Sequence, residues 1–178
     1  AKAYGFSSDN YLGAAPQHNA WDTDWVRFFA EQRLGFQRDW AAQKGCLPLE
    51  RARRLDWLIA HLGDFLGGVP RQPSLLHGDL WGGNVLAGRA GEAVLIDPAV
   101  YFGDREAEIA FTKLFGGFSA RFYQAYQSAQ PLDPGFHERA DLYNLYHLLN
   151  HLNLFGEGYG GAVDAILRRY AGLVGTKR

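Results

Sequence analysis

The sequence predicts an α+β fold that is mainly α-helical and carries one small β-hairpin. Three observations predict it. Apolar residues recur at helical spacing over long stretches, as at Trp25, Phe28, Phe29 and Leu34. Short apolar runs of strand length flank a Gly-containing turn around residues 84–97. A chain of 178 residues with 47% apolar content suffices for one core and is short for two.

The elements follow in order. The first twenty residues, rich in Gly, Ser, Asn and Pro, read as an irregular arm. Asp22 to Leu34 reads as a helix with acids in its first turn. Pro48 suits the first position of a second helix over Leu49 to Leu62, and Gly67-Gly68 supplies the stop. Ser74-Leu75-Leu76 leads into a loop, with both leucines read as its anchors in the core. Asn84 to Ala87 leaves the loop as a strand, Gly88 to Gly91 turns, and Glu92 to Asp97 returns as the second strand of a hairpin. After Pro98 a loop runs to Asp104, a suitable N-cap for a helix over Arg105 to Phe115 whose early acids favour the dipole. Three more helices are predicted at 118–129, 136–155 and 161–173. Repeats, low-complexity tracts and charge blocks are absent from the sequence.

Composition excludes several classes. A formal net charge of −1 does not steer the surface toward nucleic acid or an anionic membrane. Apolar runs such as Val94-Leu95-Ile96 are far too short to span a bilayer, and no signal peptide is visible. The single cysteine, Cys46, allows no internal disulfide and no cysteine zinc site. It reads as a structural thiol in a reducing compartment, and the chain is expected to be cytoplasmic. His147 and His151 stand at i, i+4, but Leu148 and Leu149 fill the gap where a zinc protease carries its glutamate, so both read as packing residues.

The chemistry concentrates in Leu75-Leu-His-Gly-Asp-Leu-Trp-Gly-Gly-Asn-Val-Leu86 and Val94-Leu-Ile-Asp-Pro98. An acid, Asp79, stands five residues before an amide, Asn84, and a second acid, Asp97, ends a strand. Phosphoryl-transfer loops use this arrangement, because that reaction asks for positioning and charge neutralisation more than covalent work. Asp79 is the candidate base for an attacking hydroxyl. Asn84 and Asp97 offer one neutral and one charged oxygen, hard donors suited to magnesium. Gly78, Gly82 and Gly83 allow unusual backbone angles beside a ligand. His77 reads as a residue that fixes the turn through backbone hydrogen bonds. Trp81 either stacks on a substrate or packs against the fold.

His77-Gly-Asp-Leu-Trp-Gly-Gly-Asn84 with Asp97-Pro-Ala99 resembles the fructosamine kinase (ketosamine-3-kinase) family, relatives of aminoglycoside and choline kinases in the protein-kinase-like fold. Asn10-Tyr-Leu-Gly13, Pro16-Gln-His-Asn19, Asp24-Trp-Val-Arg-Phe-Phe29 and Tyr101 to Ala110 carry the resemblance along the chain, as do Phe115 to Phe118 and Tyr143 to Asn150. The Trp after Asp-Leu separates this family from most of its relatives. The resemblance implies ATP as phosphoryl donor with Mg2+, Asp79 as catalytic base, and Asn84 and Asp97 as magnesium ligands. It implies as acceptor a ketosamine, free or on a glycated protein, whose phosphorylation leads to deglycation. Glu108 matches an acid that braces the catalytic loop in such kinases. Gln17 and Asn19 either line the acceptor side or serve the turn they occupy. An aminoglycoside- or choline-type kinase, and a non-catalytic binding module, are the alternative readings.

Family members also carry an N-terminal lobe with a glycine-rich loop and a strand lysine over the phosphates. None of Lys2, Lys44, Lys113 and Lys177 lies in such a strand. The resemblance therefore implies that residues 1–178 are a C-terminal, catalytic-loop lobe without its nucleotide-clamping partner. Such a lobe is expected to expose apolar surface where the partner packs, and to be inactive alone.

Overall fold

A computed structural model describes residues 1–68 and 71–171. The fold is mainly helical, with three two-stranded antiparallel pairs. Its centre is α7 (Phe136–Phe155), whose sequence is apolar on nearly every side from Leu142 to Asn153, as a helix must be when neighbours surround it. Three helices, α2 (Phe36–Gln43), α5 (Arg105–Leu114) and α8 (Gly160–Ala171), pack on it. The helix α3 (Leu49–Ala60) packs on α8 and is followed by the short α4 (Leu62–Leu66). The core joins Phe28, Phe29, Leu55, Leu58, Leu142 and Leu149, all essentially excluded from solvent. No helix among the described residues is long and apolar enough to cross a membrane.

Several elements differ from the expectations. The N-terminal arm is ordered: β1 (Asn10–Leu12) and β2 (Ala15–Gln17) form a hairpin, and Gly5 bridges Phe102. Its turn residues signalled irregularity, yet side-chain amides tie the hairpin down, with Asn10 Nδ2 donating to the Val100 carbonyl at 2.7 Å. The helix predicted from Asp22 starts at Trp25. Asp24 caps α1 (Trp25–Phe28) by accepting from the Arg27 amide, so the acids precede the helix. The chain then passes through a π-helical stretch, Phe29–Gly35, before α2. That widened turn buries Arg33, whose guanidinium lies 4.6 Å from the Phe28 ring centroid and 4.1 Å from that of Tyr101. Pro48 is the N-cap of α3, one position before the first helical residue.

Strand β3 (Ser74–Leu76) pairs with β6 (Tyr101–Gly103), within the stretch expected to be loop. The predicted hairpin is present as β4 (Val85–Ala87) and β5 (Ala93–Leu95), in register Val85 with Leu95. Leu76 is buried, but Leu75 is 60% exposed, so only one of the two leucines anchors the loop. Adjacent residues of a strand point to opposite faces, and here only the Leu76 face meets the core. Exposed apolar surface lies on the hairpin, at Leu86, Val94 and Leu95. The last helices follow the prediction closely as α6 (Ala120–Ala129), α7 and α8; residues 172 and 173 lie outside the described residues.

Candidate active site

The loop between β3 and β4 is stitched to the segment that leads into β6. The Ala99 amide donates to the His77 carbonyl at 2.8 Å, and the Ile96 amide to the Asn84 carbonyl at 3.1 Å. His77 spans the same gap: its Nε2 donates to the Ile96 carbonyl at 2.9 Å and its Nδ1 accepts from the Asp79 amide at 3.3 Å. The imidazole therefore fixes the turn, and one tautomer serves both bonds. At Gly78, φ is +82°, and an added Cβ would collide with the Ala99 carbonyl oxygen. Only glycine permits this crossing of two backbones.

Glu108, in the first turns of α5, reaches up to the loop. Its carboxylate accepts from the His77 amide at 2.6 Å and the Gly78 amide at 2.9 Å. Burial pushes its pKa up, and the two amides only partly offset this. Asp104 caps α5 by accepting from the Glu106 amide at 2.9 Å, which fixes the start of the helix that carries Glu108.

Asp79 follows directly. Asn84 Nδ2 donates to the Asp79 carbonyl at 2.8 Å and to its carboxylate at 3.0 Å. The five-residue spacing thus closes through a 3₁₀ turn, Gly82–Asn84. Burial raises the Asp79 pKa; the Asn84 bond and the nearby His77 and His151 oppose it, and the Asp97 charge adds to it. The Ile96 amide bond to the Asn84 carbonyl brings the next residue, Asp97, up to the same loop. Asp97 is exposed, and at φ 51° it is the non-glycine residue of positive φ among the described residues. An aspartate held there stores roughly 1–3 kcal/mol of strain, a cost that accumulates at ligand-holding positions.

Asp79 and Trp81 open together onto a cleft of about 350 Å³. Its other walls include Leu12 from the N-terminal hairpin, Phe115 after α5, His151 on α7 and Tyr159 beyond it. Asp79 is the one acid among the residues that line it. Trp81 is 39% exposed and lines this space, with its ring packed over Gly83. Gln17 and Asn19 are placed elsewhere. Both are buried; Gln17 donates to the Ala99 carbonyl and accepts from the Tyr146 hydroxyl, while Asn19 accepts from Arg33 at 2.8 Å. They hold the arm against the loop segment and line no part of the cleft.

The family model for fructosamine kinase matches residues 1–172. The chain belongs to the fructosamine kinase family. A Vibrio parahaemolyticus protein named as a probable ketoamine kinase is 51% identical over 89% of this chain and 53% of its own length. A rice protein named as a chloroplastic protein-ribulosamine 3-kinase is 42% identical over 95% of the chain and 49% of its own. A Thermobifida fusca crystal structure bearing the name fructosamine-3-kinase superposes with a TM-score of 0.88 at 37% identity, covering 94% of this chain and 58% of that one. The chain thus spans about half the length of the relatives it matches.

Within this fructosamine kinase family chain, sequence reasoning missed His151. Its Nδ1 donates to the His147 carbonyl at 2.8 Å, which leaves Nε2 as an acceptor on a residue that lines the cleft. Asn150 also lines it, with its Oδ1 held by Gln37 at 3.2 Å. The available signal was the adjacent polar pair Asn150-His151 between the leucines of α7. The i, i+4 histidines themselves form no metal cluster among the described residues, and His147 stacks on Phe111 at 3.6 Å.

Proposed function

We propose that this chain is the catalytic-loop lobe of an ATP-dependent kinase that phosphorylates a hydroxyl of ketosamines, fructosamine or ribulosamine adducts of amines and proteins, and so leads to their deglycation. The observation that carries the reading is Asp79 at the mouth of an otherwise acid-free cleft, locked to Asn84 and within the electrostatic reach of Asp97. In this reading the acceptor hydroxyl lies on Asp79. The hydroxyl oxygen attacks the γ-phosphorus, its proton passes to the Asp79 carboxylate, and the bond to ADP breaks. Burial raises the Asp79 pKa above its ordinary value, the direction that makes its carboxylate a stronger base.

The donor set fits magnesium. Asn84 spends its amide nitrogen on Asp79, which turns its carbonyl oxygen free for an ion, and Asp97 adds an exposed carboxylate. Asn84 and Asp97 would hold the ion, which neutralises phosphate charge when bound. The elements that cover the nucleotide are assigned to the remaining half of the relatives' length, and the exposed Leu86, Val94 and Leu95 of the hairpin are the surface offered to them.

A screen of the encoded protein with Mg-ATP against a ketosamine, an aminoglycoside and a choline-like amine tests the reading. Transfer to the ketosamine is expected. Transfer to the aminoglycoside alone would refute it.

A further inference from the structure

The wall of the cleft opposite the catalytic loop is built by a segment that the chemistry of phosphoryl transfer does not explain. From the last residue of α7 into the first turn of α8 runs Phe155-Gly-Glu-Gly-Tyr-Gly-Gly161, with Gly156 at φ 89° and a 3₁₀ turn over Glu157–Tyr159. Four glycines in six residues make a poorly self-supporting connection. Phe155 and Tyr159 project from it into the cleft, their centroids 6.2 Å apart, and each packs on the His151 ring, at 5.5 and 5.0 Å.

What holds this turn is Arg51, a buried side chain in the first turn of α3. All five of its N–H groups are engaged. Nε donates to Asp164 at 2.8 Å, Nη1 to Glu157 at 3.0 Å and to the Cys46 carbonyl at 2.8 Å, and Nη2 to Glu157 at 2.6 Å and Asp164 at 3.0 Å. Gly160 must lack a side chain for this to form, since a Cβ would lie 2.5 Å from Arg51 Nη2. Both carboxylates are held below their usual pKa by the guanidinium. Glu157 is therefore committed to the latch and is not among the residues lining the cleft.

We propose that this glycine-rich turn is the specificity element of the acceptor site: Phe155 and Tyr159 hold the amine-bearing end of the acceptor, and Arg51 with Glu157 is the latch that positions them. The assignment rests on the ketosamine kinase reading. A ketosamine has a polyol end, which Asp79 serves, and a secondary amine that is cationic near neutral pH. Among the described residues that line the cleft no second carboxylate meets that cation, and aromatic faces do. Aromatic faces bind an ammonium group and also accept an apolar carrier beyond it. Glu157 is a positioning residue, and the effect of removing it falls on the acceptor rather than on the chemical step.

The test compares two ketosamines of one sugar, made from benzylamine and from glycine, in the encoded protein and its Tyr159→Ala and Glu157→Ala variants. Tyr159→Ala is expected to raise the KM for the benzylamine adduct about 3- to 30-fold, from the lost cation–π contact and the lost stacking of the benzyl ring together. The glycine adduct carries the same ammonium without the ring, so its KM should rise by a smaller factor, and the KM for ATP should hold. Glu157→Ala is expected to raise the same acceptor KM several-fold with little change in kcat, and Glu157→Gln to recover part of the loss. Melting curves establish that each variant is folded. Equal changes for both adducts, or a lowered melting temperature with unchanged acceptor ranking, would overturn the assignment while leaving the kinase reading intact. Absence of transfer from wild type to either adduct would overturn both.

Discussion

Removing Glu108 should loosen the catalytic loop at two named amides. Its carboxylate is the acceptor for the His77 and Gly78 N–H groups, and the β3–β6 pair and Ala99 close that place against water. Two effects oppose one another in Glu108→Ala. Burial raises the carboxyl pKa, so deleting the charge relieves a desolvation cost. Against this, each buried amide left without an acceptor costs roughly 1–3 kcal/mol. The two orphaned donors outweigh the relief, for a net loss of about 3 kcal/mol, or ~6–12 °C in melting temperature for a domain of this size. Glu108→Gln keeps one acceptor and turns its NH2 against the other amide, so it should lose about half as much. Thermal denaturation gives the total, and amide hydrogen exchange locates it. Faster exchange is expected at His77 and Gly78 before other loop positions. Unchanged melting and unchanged exchange at those two amides would refute the claim that Glu108 carries the loop.

Asp79→Asn preserves the acceptor for Asn84 and should lower kcat by roughly 10²- to 10⁴-fold in a phosphorylation assay, the range expected for a general base. Its stability should move oppositely. Burial raises the Asp79 pKa, so the folded wild type bears the cost of the charged form above that pKa; the variant should melt higher near neutrality, with the gap closing as pH falls through the folded pKa and gone below the unfolded one. For the same reason wild-type kcat/KM should fall with decreasing pH through a value above the ordinary aspartate range, and an acid limb at the ordinary value would contradict it. Gly78→Ala combines a positive φ with a clash against Ala99 and should yield no turnover and a markedly lower melting temperature, whereas Gly82→Ala, with open space for its Cβ, should fold normally. Asp97→Ala should abolish activity together with its magnesium dependence, and retained magnesium-dependent turnover would remove Asp97 from the ion site.

The parts of this fold legible in the sequence are those that one stretch of chain determines by itself. The α5 cap, the long α7 and the β4–β5 hairpin each announce themselves through local periodicity or turn chemistry. The strands β3 and β6 pair across more than twenty residues, which local spacing does not encode, and the β1–β2 hairpin is held by buried amides such as Gln17. Gln17 and Asn19, which the sequence left open between the acceptor side and their own turn, show the converse. Polar side chains in a Pro-containing loop suggest a surface, but both are fully buried and hydrogen-bonded, and their polarity serves to satisfy the interior.

The active site divides along the same line. Asp79 and Asn84 are readable because one turn closes between them, so their spacing is itself the geometry. Asp97 is readable because a hairpin of fixed register returns it; Ile96 pairs with Asn84, and the next residue must stand beside the loop. The acceptor wall has no such constraint. His151, Phe155 and Tyr159 face Asp79 because α7 is packed on α5, the helix whose Glu108 holds the loop, and because Arg51 fixes the turn after α7 from another helix. Spacing along the chain encodes none of these relations. The residues proposed to perform phosphoryl transfer are therefore set by local sequence, whereas those proposed to choose the acceptor are set by packing between distant helices. On that proposal, substitutions in α3 or the turn after α7 should alter the acceptor while the loop around Asp79 keeps its geometry.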